Sequence, residues 1–368
     1  MKFTCQGLEL ADAVLKVVKA SAVRTTNPIL ECVKLIAEED RLTLMCTDLE
    51  LTIIKAIKAD VKVEGEAVIP AKFFAEFARK ISSEQITFTM RENNIMEILY
   101  GENSGVIQCQ NAEEFPEPKE LEKPESFQVK SSDLKDLVIK ASVAVAQDDA
   151  RPMLRGVLLE VTNNELRGVA LDGVRMALVK KPLFNPTSEF GIVVTARSLM
   201  EIVKLLPESD EKITIQTQKN HLKIDLGDTI LITRLLGQKS DFVSYEQIIP
   251  STFQTFIVVN RQNLYDAIER ASLLNLTERN HIIKFTIKKD NLTINSESEQ
   301  GNITENLKVE HDATDLVIDF NGRLIIDSLH VIGDEFIKMN FCGVMSPCVI
   351  VPNEEKQDYL YLILPMRM

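Results

Sequence analysis

Apolar residues recur along this chain in two rhythms that alternate with each other. An apolar residue at every third or fourth position predicts a helix, and alternation of apolar and polar residues predicts a half-buried strand. The helical rhythm covers residues 8–22, 71–81, 132–146, 196–206, 261–274 and 322–331. The clearest strands are predicted around residues 3–6, 33–35, 42–44, 51–53, 68–69, 86–88, 95–99, 106–107, 157–162, 165–170, 213–217 and 222–226. These elements predict an α+β fold in which short helices are separated by antiparallel strands.

The order of the predicted elements repeats with a long period. Three sets of matching positions keep this spacing: Leu10, Leu134 and Leu264; Leu42, Leu166 and Leu292; and Lys72, Arg197 and Arg323. Successive members of each set are 124 to 130 residues apart. A period of this length indicates a repeated domain, because solenoid repeats are about 20–50 residues long and cannot bury a core alone. We therefore predict three tandem copies of one domain, at 1–123, 124–250 and 251–368, each built from two β-α-βββ halves.

The composition is that of an ordinary globular protein. The 368 residues are 45% hydrophobic and 26% charged, which is not the balance of a disordered or fibrous chain. The N-terminus lacks the apolar core of a signal peptide, and no run approaches the roughly 18 apolar residues of a membrane span. These features predict a cytoplasmic location and no membrane partner.

No sequence motif of catalytic chemistry is present. The chain lacks a phosphate-binding loop, a dinucleotide fingerprint, a metalloprotease histidine pair and a nucleophile elbow. Its six cysteines form no C-x-x-C pair, and its four histidines have no metal-ligand spacing, which predicts buried, reduced thiols. Carboxylate pairs such as Asp48 with Glu50 could act as acid and base, but such pairs are far more often turn or surface residues. The sequence predicts a protein without catalytic activity, cofactor or metal.

Charge is distributed unevenly between helices and strands. The six helical stretches together carry a net charge of +4, and the rest of the chain carries −17, which gives the total of −13. The stretches are 9–24, 71–81, 131–147, 196–206, 261–274 and 322–330. Helices gathered on one face would therefore attract a polyanion that the strands repel. An ordinary solvated helix surface is the alternative explanation of this charge.

Several short motifs occur in an order that resembles a known family. They are Met1–Thr4, Asn27–Leu30, Cys46–Glu50, Glu114–Pro116, Leu171–Ala177 and Leu364–Met368. In this order, and on a threefold repeat, they resemble the bacterial DNA polymerase III beta subunits, the sliding clamps. The resemblance extends from the first residue to the last.

The resemblance implies an architecture and a set of partners. Two chains would associate head to tail into a dimeric ring with helices inside and sheets outside. The ring would encircle double-stranded DNA without sequence preference, after opening by a clamp loader. It would tether the DNA polymerase III alpha subunit and other proteins that carry clamp-binding peptides. A ring holds DNA by topology, so weak contacts with phosphates suit sliding.

Family position and charge together select candidate residues for three sites. Those expected to face DNA are Arg24 and Arg197 above all, with Lys16, Lys19, Lys72, Arg79, Lys80, Lys140, Lys204 and Arg270. Those expected to form a peptide-binding pocket are Leu154, Leu171, Gly173, Val174, Arg175, Met176, Val243, Gln247, Ile248, Asn280, Asn321, Leu324, Met345, Pro347, Leu362, Ile363, Leu364, Pro365 and Met366. Those expected at the dimer interface are Phe77, Val106, Ile107, Leu273 and Leu274, although Phe77 could equally belong to the core.

The chain departs from its family at several of these positions. Leu171 stands where many relatives have threonine, Val174 where they have histidine, and Val243 begins a Val-Ser pair in place of Pro-Asp. Pro152 and Met153 replace tyrosines of a loop that contacts DNA in family members. These departures predict a more apolar groove, and those at Pro152 and Met153, with the acidic Asp148 beside them, count against one expected DNA contact. A three-domain scaffold that binds proteins and never encircles DNA remains the alternative function.

Overall fold

The structure is a computed structural model in which two compact units are distinguished. It describes residues 1–81, 84–118, 121–122, 124–148, 150–162, 164–184, 188–275 and 281–366, apart from the side chains of residues 275 and 313. One unit comprises Met1–Ser131 with Glu201–Leu235, and the other comprises Ser132–Met200 with Leu236–Met368. The second predicted domain is therefore divided between the units.

Six β-α-βββ halves follow one another along the chain. The first two halves are β1 (Lys2–Gln6), α1 (Gly7–Val17), β2 (Cys32–Glu38), β3 (Arg41–Thr47), β4 (Leu51–Val63), β5 (Gly65–Pro70), α2 (Ala71–Lys80), β6 (Gln85–Arg91), β7 (Ile95–Tyr100) and β8 (Asn103–Gln108). The next two are β9 (Glu125–Lys130), α3 (Ser131–Ser142), β10 (Gly156–Thr162), β11 (Glu165–Leu171), β12 (Arg175–Pro182), β13 (Phe190–Thr195), α4 (Ala196–Val203), β14 (Lys212–Gln218), β15 (His221–Asp225) and β16 (Thr229–Gln238). The last two are β17 (Thr255–Asn260), α5 (Arg261–Ser272), β18 (Ile282–Lys288), β19 (Asn291–Ser298), β20 (Gly301–Lys308), the additional strand β21 (Glu310–Ala313), β22 (Leu316–Asn321), α6 (Gly322–Val331), β23 (Phe336–Phe341), β24 (Cys348–Pro352) and β25 (Tyr359–Ile363). The predicted α+β architecture of repeated halves is confirmed.

Each helix lies where the apolar rhythm predicts it. In α1 the residues Leu10, Ala13, Val14 and Val17 are buried, which is the one-sided stripe expected of a helix packed on a sheet. Three helices end at least three residues earlier than predicted, since α1, α3 and α4 stop at residues 17, 142 and 203. For α4 the physical reason is Pro207, because proline has no N–H to donate to the carbonyl of Val203 four residues before it.

The same type of strand pairing joins successive domains within each unit. β16 runs antiparallel to β4, with Ile230 opposite Ile54. β25 runs antiparallel to β12, with Leu360 opposite Leu178. Because these pairings extend a sheet from one domain into the next, each unit combines a whole domain with half of the second.

The cysteines lie in the core, as the sequence predicts. Five of the six are free and buried, and Cys342 is free and half-buried. Burial, with a smaller contribution from the Glu9 carboxylate, raises the pKa of Cys5 to about 12. Burial also raises the pKa of Cys46 and Cys348, so these thiols stay protonated and unreactive. None of the helices among the described residues has the length and apolar character needed to cross a membrane.

Candidate functional site

The ten basic residues selected from the sequence lie on the helices or directly beside them. Seven are exposed and three are half-buried. Five form ion pairs with acidic neighbours: Lys16 with Asp12 at 2.7 Å, Arg79 with Glu76 at 2.9 Å, Lys140 with Asp136 at 2.9 Å, Lys204 with Glu201 at 2.7 Å and Arg270 with Glu305 at 2.8 Å. Exposed ion pairs of this kind contribute about 0–1 kcal/mol to stability. Most of these cations can therefore leave their carboxylate partner and bind another anion with little loss of free energy.

Four of the ten cations are not engaged by carboxylates. Lys19, Arg24, Lys72 and Lys80 form no ion pair with any residue that the structure describes. Lys140 has the opposite environment, because its side chain is only 13% exposed and its ammonium lies 5.3 Å from the centre of the Tyr359 ring. The available positive charge is therefore concentrated on α2 and the segment that follows α1.

The apolar residues selected for a groove meet at the junction of β12 with β25. Leu154, Leu171, Met176 and Leu362 belong to one buried cluster together with Tyr245. Their burial fits the floor of a groove, whereas Val174 and Leu364 at its edge are 48% and 37% exposed. The cluster thus places buried and exposed apolar residues side by side, as a groove for aliphatic and aromatic anchors requires.

A tight turn between β11 and β12 shapes one end of this groove. The Asp172 carboxylate accepts hydrogen bonds from the backbone N–H groups of Val174 and Arg175, both at 3.0 Å. Gly173, at the centre of the turn, has φ +96°, a conformation that residues with a side chain rarely adopt. The Leu364 N–H then donates to the Val174 carbonyl at 2.9 Å, which fixes the C-terminal segment against the turn.

Arg175 connects this turn to helix α6. Its guanidinium Nε contacts Asp172 at 3.0 Å and its Nη1 contacts Asp327 at 2.8 Å. The Arg175 side chain is 10% exposed, so both ion pairs lie partly away from water. Asp327 could not be selected from the sequence, because only the folded chain brings residue 327 within reach of residue 175.

A second buried network holds the segment that carries Val243, Gln247 and Ile248. The Tyr245 hydroxyl donates to the buried Glu160 carboxylate, which also pairs with Lys239. Burial first, and the Glu160 acceptor next, raise the pKa of Tyr245 and keep its hydroxyl as a donor. The apolar and amide side chains around this anchor can therefore remain exposed at the groove.

The remaining groove candidates lie on the elements around β25. Asn321 accepts a hydrogen bond from the Arg323 N–H at 3.0 Å at the start of α6, and Leu324 is half-buried in the same helix. Met345 is 63% exposed, in the loop that ends at half-buried Pro347. The other residues of the C-terminal segment are buried Ile363 and half-buried Pro365 and Met366. Asn280 lies outside the described residues.

The interface candidates lie beside strands at the edges of their sheets. Within the described residues β8 pairs only with β7, and β20 ends its four-stranded sheet. Val106 on β8 is 67% exposed, and Leu273 after α5 is 57% exposed. Ile107 and Leu274 are half-buried. Both edges therefore offer backbone groups and apolar side chains to a partner.

Phe77 lies in an aromatic cluster rather than in the interior. It is half-buried and stacks on Phe73, with 5.7 Å between ring centres. Tyr100 meets it edge to face at 5.4 Å. Since Phe73 is 47% exposed, the cluster extends from α2 to the surface beside β7 and β8. Phe73 lies one helical turn before Phe77 on the apolar side of α2, as the sequence predicts. Tyr100 could not be predicted as a neighbour, because it meets Phe77 only when α2 packs on the sheet.

Comparison with known proteins gives matches along almost the whole chain. Models of the N-terminal, central and C-terminal domains of the DNA polymerase III beta subunit match residues 1–119, 128–240 and 246–367. The chain belongs to the DNA polymerase III beta subunit family. Curated relatives include the beta sliding clamps of Bacillus subtilis, 31% identical with all of both chains covered, and of Halalkalibacterium halodurans, 30% identical with 95% of each covered.

Solved structures of this family share the fold. The DNA polymerase sliding clamp from Bacillus subtilis matches with a TM-score of 0.97 at 28% identity, covering 100% of this chain and 99% of that one. A sliding clamp from Pseudomonas aeruginosa, solved with griselimycin bound, matches with a TM-score of 0.94 at 27% identity, covering all of both chains. Family membership makes this a sliding clamp, a non-catalytic processivity subunit rather than an enzyme.

Replacement of Arg175 tests how the groove of this clamp is held together. We expect Arg175→Met to lower the free energy of unfolding by about 1.5–3 kcal/mol, because Asp327 then loses a charged hydrogen bond in partly buried surroundings. The matched control is Arg41→Met, whose ion pair with Glu39 is exposed on both sides and contributes about 0–1 kcal/mol. Urea unfolding followed by circular dichroism measures both. Equal losses in the two variants would mean that Arg175 does not fix the groove.

Proposed function

We propose that two copies of this chain close into a ring around double-stranded DNA and slide along it in the cytoplasm. The observation that carries the proposal is the placement of four cations, none paired with a described carboxylate, on α2 and on the segment after α1. They belong to a chain whose net charge is −13. Lys72 is the most informative of these, because a positive charge in the first turn of a helix opposes the helix dipole. The positive charge of Lys72 at this position lowers the stability of the helix and favours contact with phosphates.

The ring proposal rests on the two sheet edges. Each chain carries one edge at β8 and one at β20, and the two differ in sequence, so a contact between them is head to tail. Strand addition would satisfy the backbone groups of both edges, while Phe77, Val106, Ile107, Leu273 and Leu274 would exclude water beside them. Two such contacts would close a ring of two chains and six domains. We propose that the three domains of each chain span residues 1–123, 124–250 and 251–368.

We assign the ten basic residues to weak, sequence-independent contacts with phosphates, with Arg24 and Arg197 foremost. Sliding requires that each contact be weak. Contacts with phosphates suit this, because they replace counterions at any position of the DNA and do not recognise bases. We assign the groove around Leu154, Leu171 and Leu362 to peptides of the polymerase alpha subunit and other partners. Leu171 and Val174, which are apolar here, favour peptides with aliphatic and aromatic anchors.

Retention on DNA of different topology tests the ring. After loading by a clamp loader with ATP, the protein should remain on closed circular DNA through gel filtration at moderate salt. Cutting that DNA once should release nearly all of the protein within minutes, because a ring that makes only weak contacts with phosphates can slide off a free end. The control is the same circle cut and blocked at both ends by bound proteins, where retention should return. Equal retention on all three substrates would favour a scaffold that does not encircle DNA.

A further inference from the structure

A pocket in the unit of residues 1–131 and 201–235 has no role in the proposed function. Its volume is about 600 Å³, within the range of roughly 300–1,000 Å³ typical of ligand sites. The described residues that line it include Ile36, Thr43, Ile54, Pro118, Ile230 and Ile232. Its floor is the sheet of β2, β3, β4 and β16, and the linker after residue 112 forms one wall. The lining is mainly aliphatic.

The repeat in the chain supplies a counterpart to this floor in the other unit. Ile36 pairs with Thr43 between β2 and β3, just as Glu160 pairs with Arg167 between β10 and β11. Three further pocket residues have apolar counterparts at the same register positions: Ile54 corresponds to Leu178, Ile230 to Leu360 and Ile232 to Leu362. The floors of the two sites therefore match at these positions, except that the charged pair Glu160 and Arg167 stands where the first floor has Ile36 and Thr43.

The two linkers also correspond, except at one position. Phe115 and Phe242 each follow a short 3-10 helix, donate their N–H to the carbonyl three residues earlier, and are buried. Three residues further on, the second linker has Tyr245 and the first has Pro118. Tyr245 is fully buried over the second floor, and its hydroxyl donates to Glu160. Proline at this position does not carry an aromatic ring onto the first floor, where the pocket lies.

Two described residues of the first linker, Glu117 and Glu122, contact the neighbouring strands. Lys34, almost fully buried, contacts Glu117 at 2.6 Å and Glu66 at 2.9 Å. The Glu122 N–H donates to the Gln218 side chain at 2.8 Å. The linker also carries negative charge, with six glutamates and two lysines in residues 113–125.

We propose that this pocket binds a phenylalanine side chain of a partner segment that has basic residues next to it. The ring takes the place that Tyr245 occupies on the corresponding floor, and the acidic linker attracts the flanking cations. Phenylalanine is preferred to tyrosine because Ile36 and Thr43 replace the Glu160 and Arg167 that a phenol hydroxyl would contact. The pocket is a second docking site, separate from the groove around Leu154 and Leu362.

Methyl NMR on the full-length protein tests the proposal with defined probes. The probes are the blocked tripeptides Arg-Phe-Arg, Arg-Tyr-Arg and Arg-Ala-Arg, and the reporters are the methyl groups of Ile36, Met45, Ile54 and Ile232. The phenylalanine peptide should shift these signals in a saturable way, and the alanine peptide should bind at least about tenfold more weakly. Ile248 reports binding at the other groove. Shifts confined to Ile248, or equal shifts with all three peptides, would overturn the proposal.

Two variants sharpen the test. Pro118→Tyr should supply the ring from within the chain and weaken the phenylalanine peptide at least about tenfold, while Ile248 stays unchanged. The double substitution Ile36→Glu with Thr43→Arg copies the Glu160 and Arg167 pair, which this fold already accepts, and should reverse the preference from phenylalanine to tyrosine. Retained preference for phenylalanine in the double variant would reject the site, as would undiminished binding by Pro118→Tyr. Unchanged methyl spectra elsewhere would show that both variants fold.

Discussion

Removal of residues 364–368 is expected to weaken the binding of a peptide with leucine and phenylalanine anchors at least about a hundredfold, or roughly 2.7 kcal/mol. The deletion removes Leu364, a 37% exposed apolar side chain at the edge of the groove. It also removes two backbone hydrogen bonds, from Leu364 to Val174 at 2.9 Å and from Met366 to Asp319 at 2.8 Å. Fluorescence anisotropy with a labelled peptide measures the loss.

The control for this truncation is a shorter one that removes only residues 367–368. It keeps both hydrogen bonds and every described side chain of the groove, so its peptide affinity should change less than about tenfold. Both truncated proteins should remain dimers, because the interface candidates lie elsewhere in the chain. Full affinity after removal of residues 364–368 would reject the groove assignment.

Replacement of Val106 and Leu273 by aspartate is expected to dissociate the proposed ring. Each side chain is more than half exposed in the single chain, so the substitutions leave the fold intact. Burying such side chains contributes about 1.5–3 kcal/mol each, and a buried unpaired charge would add a further penalty. The double variant should have the mass of one 41.4 kDa chain in light scattering, against twice that mass for the unaltered protein.

Leu49→Asp is the matched control for this variant. Leu49 has the same 57% exposure as Leu273 but lies in a turn between β3 and β4, away from both sheet edges. Its variant should keep the dimer mass and the retention on circular DNA. The double variant should lose that retention at least about a hundredfold faster, since an open ring has no topological hold. A dimer that survives both aspartates would place the interface elsewhere.

The sequence by itself determined the helices, the repeat and the family. The one-sided apolar stripes of α1 and α6 could be predicted, because a helix that packs on a sheet needs such a stripe wherever it lies. The thiols could be assigned to the core for a similar local reason, as they sit within apolar strands. The short motifs identified the groove candidates only through family resemblance, since no local rule sets Leu154 beside Leu362.

Only the tertiary structure decided which of those candidates meet and what holds them. Asp327 pairs with Arg175 across 152 positions of the chain, and Glu160 holds Tyr245 across 85. Contacts of this kind follow from the register between strands and the packing of helices, and neither is written in a local pattern. The pocket beside Pro118 has the same origin. A proline in a linker is unremarkable in sequence, and its consequence is visible only on the floor that Tyr245 covers in the repeated site.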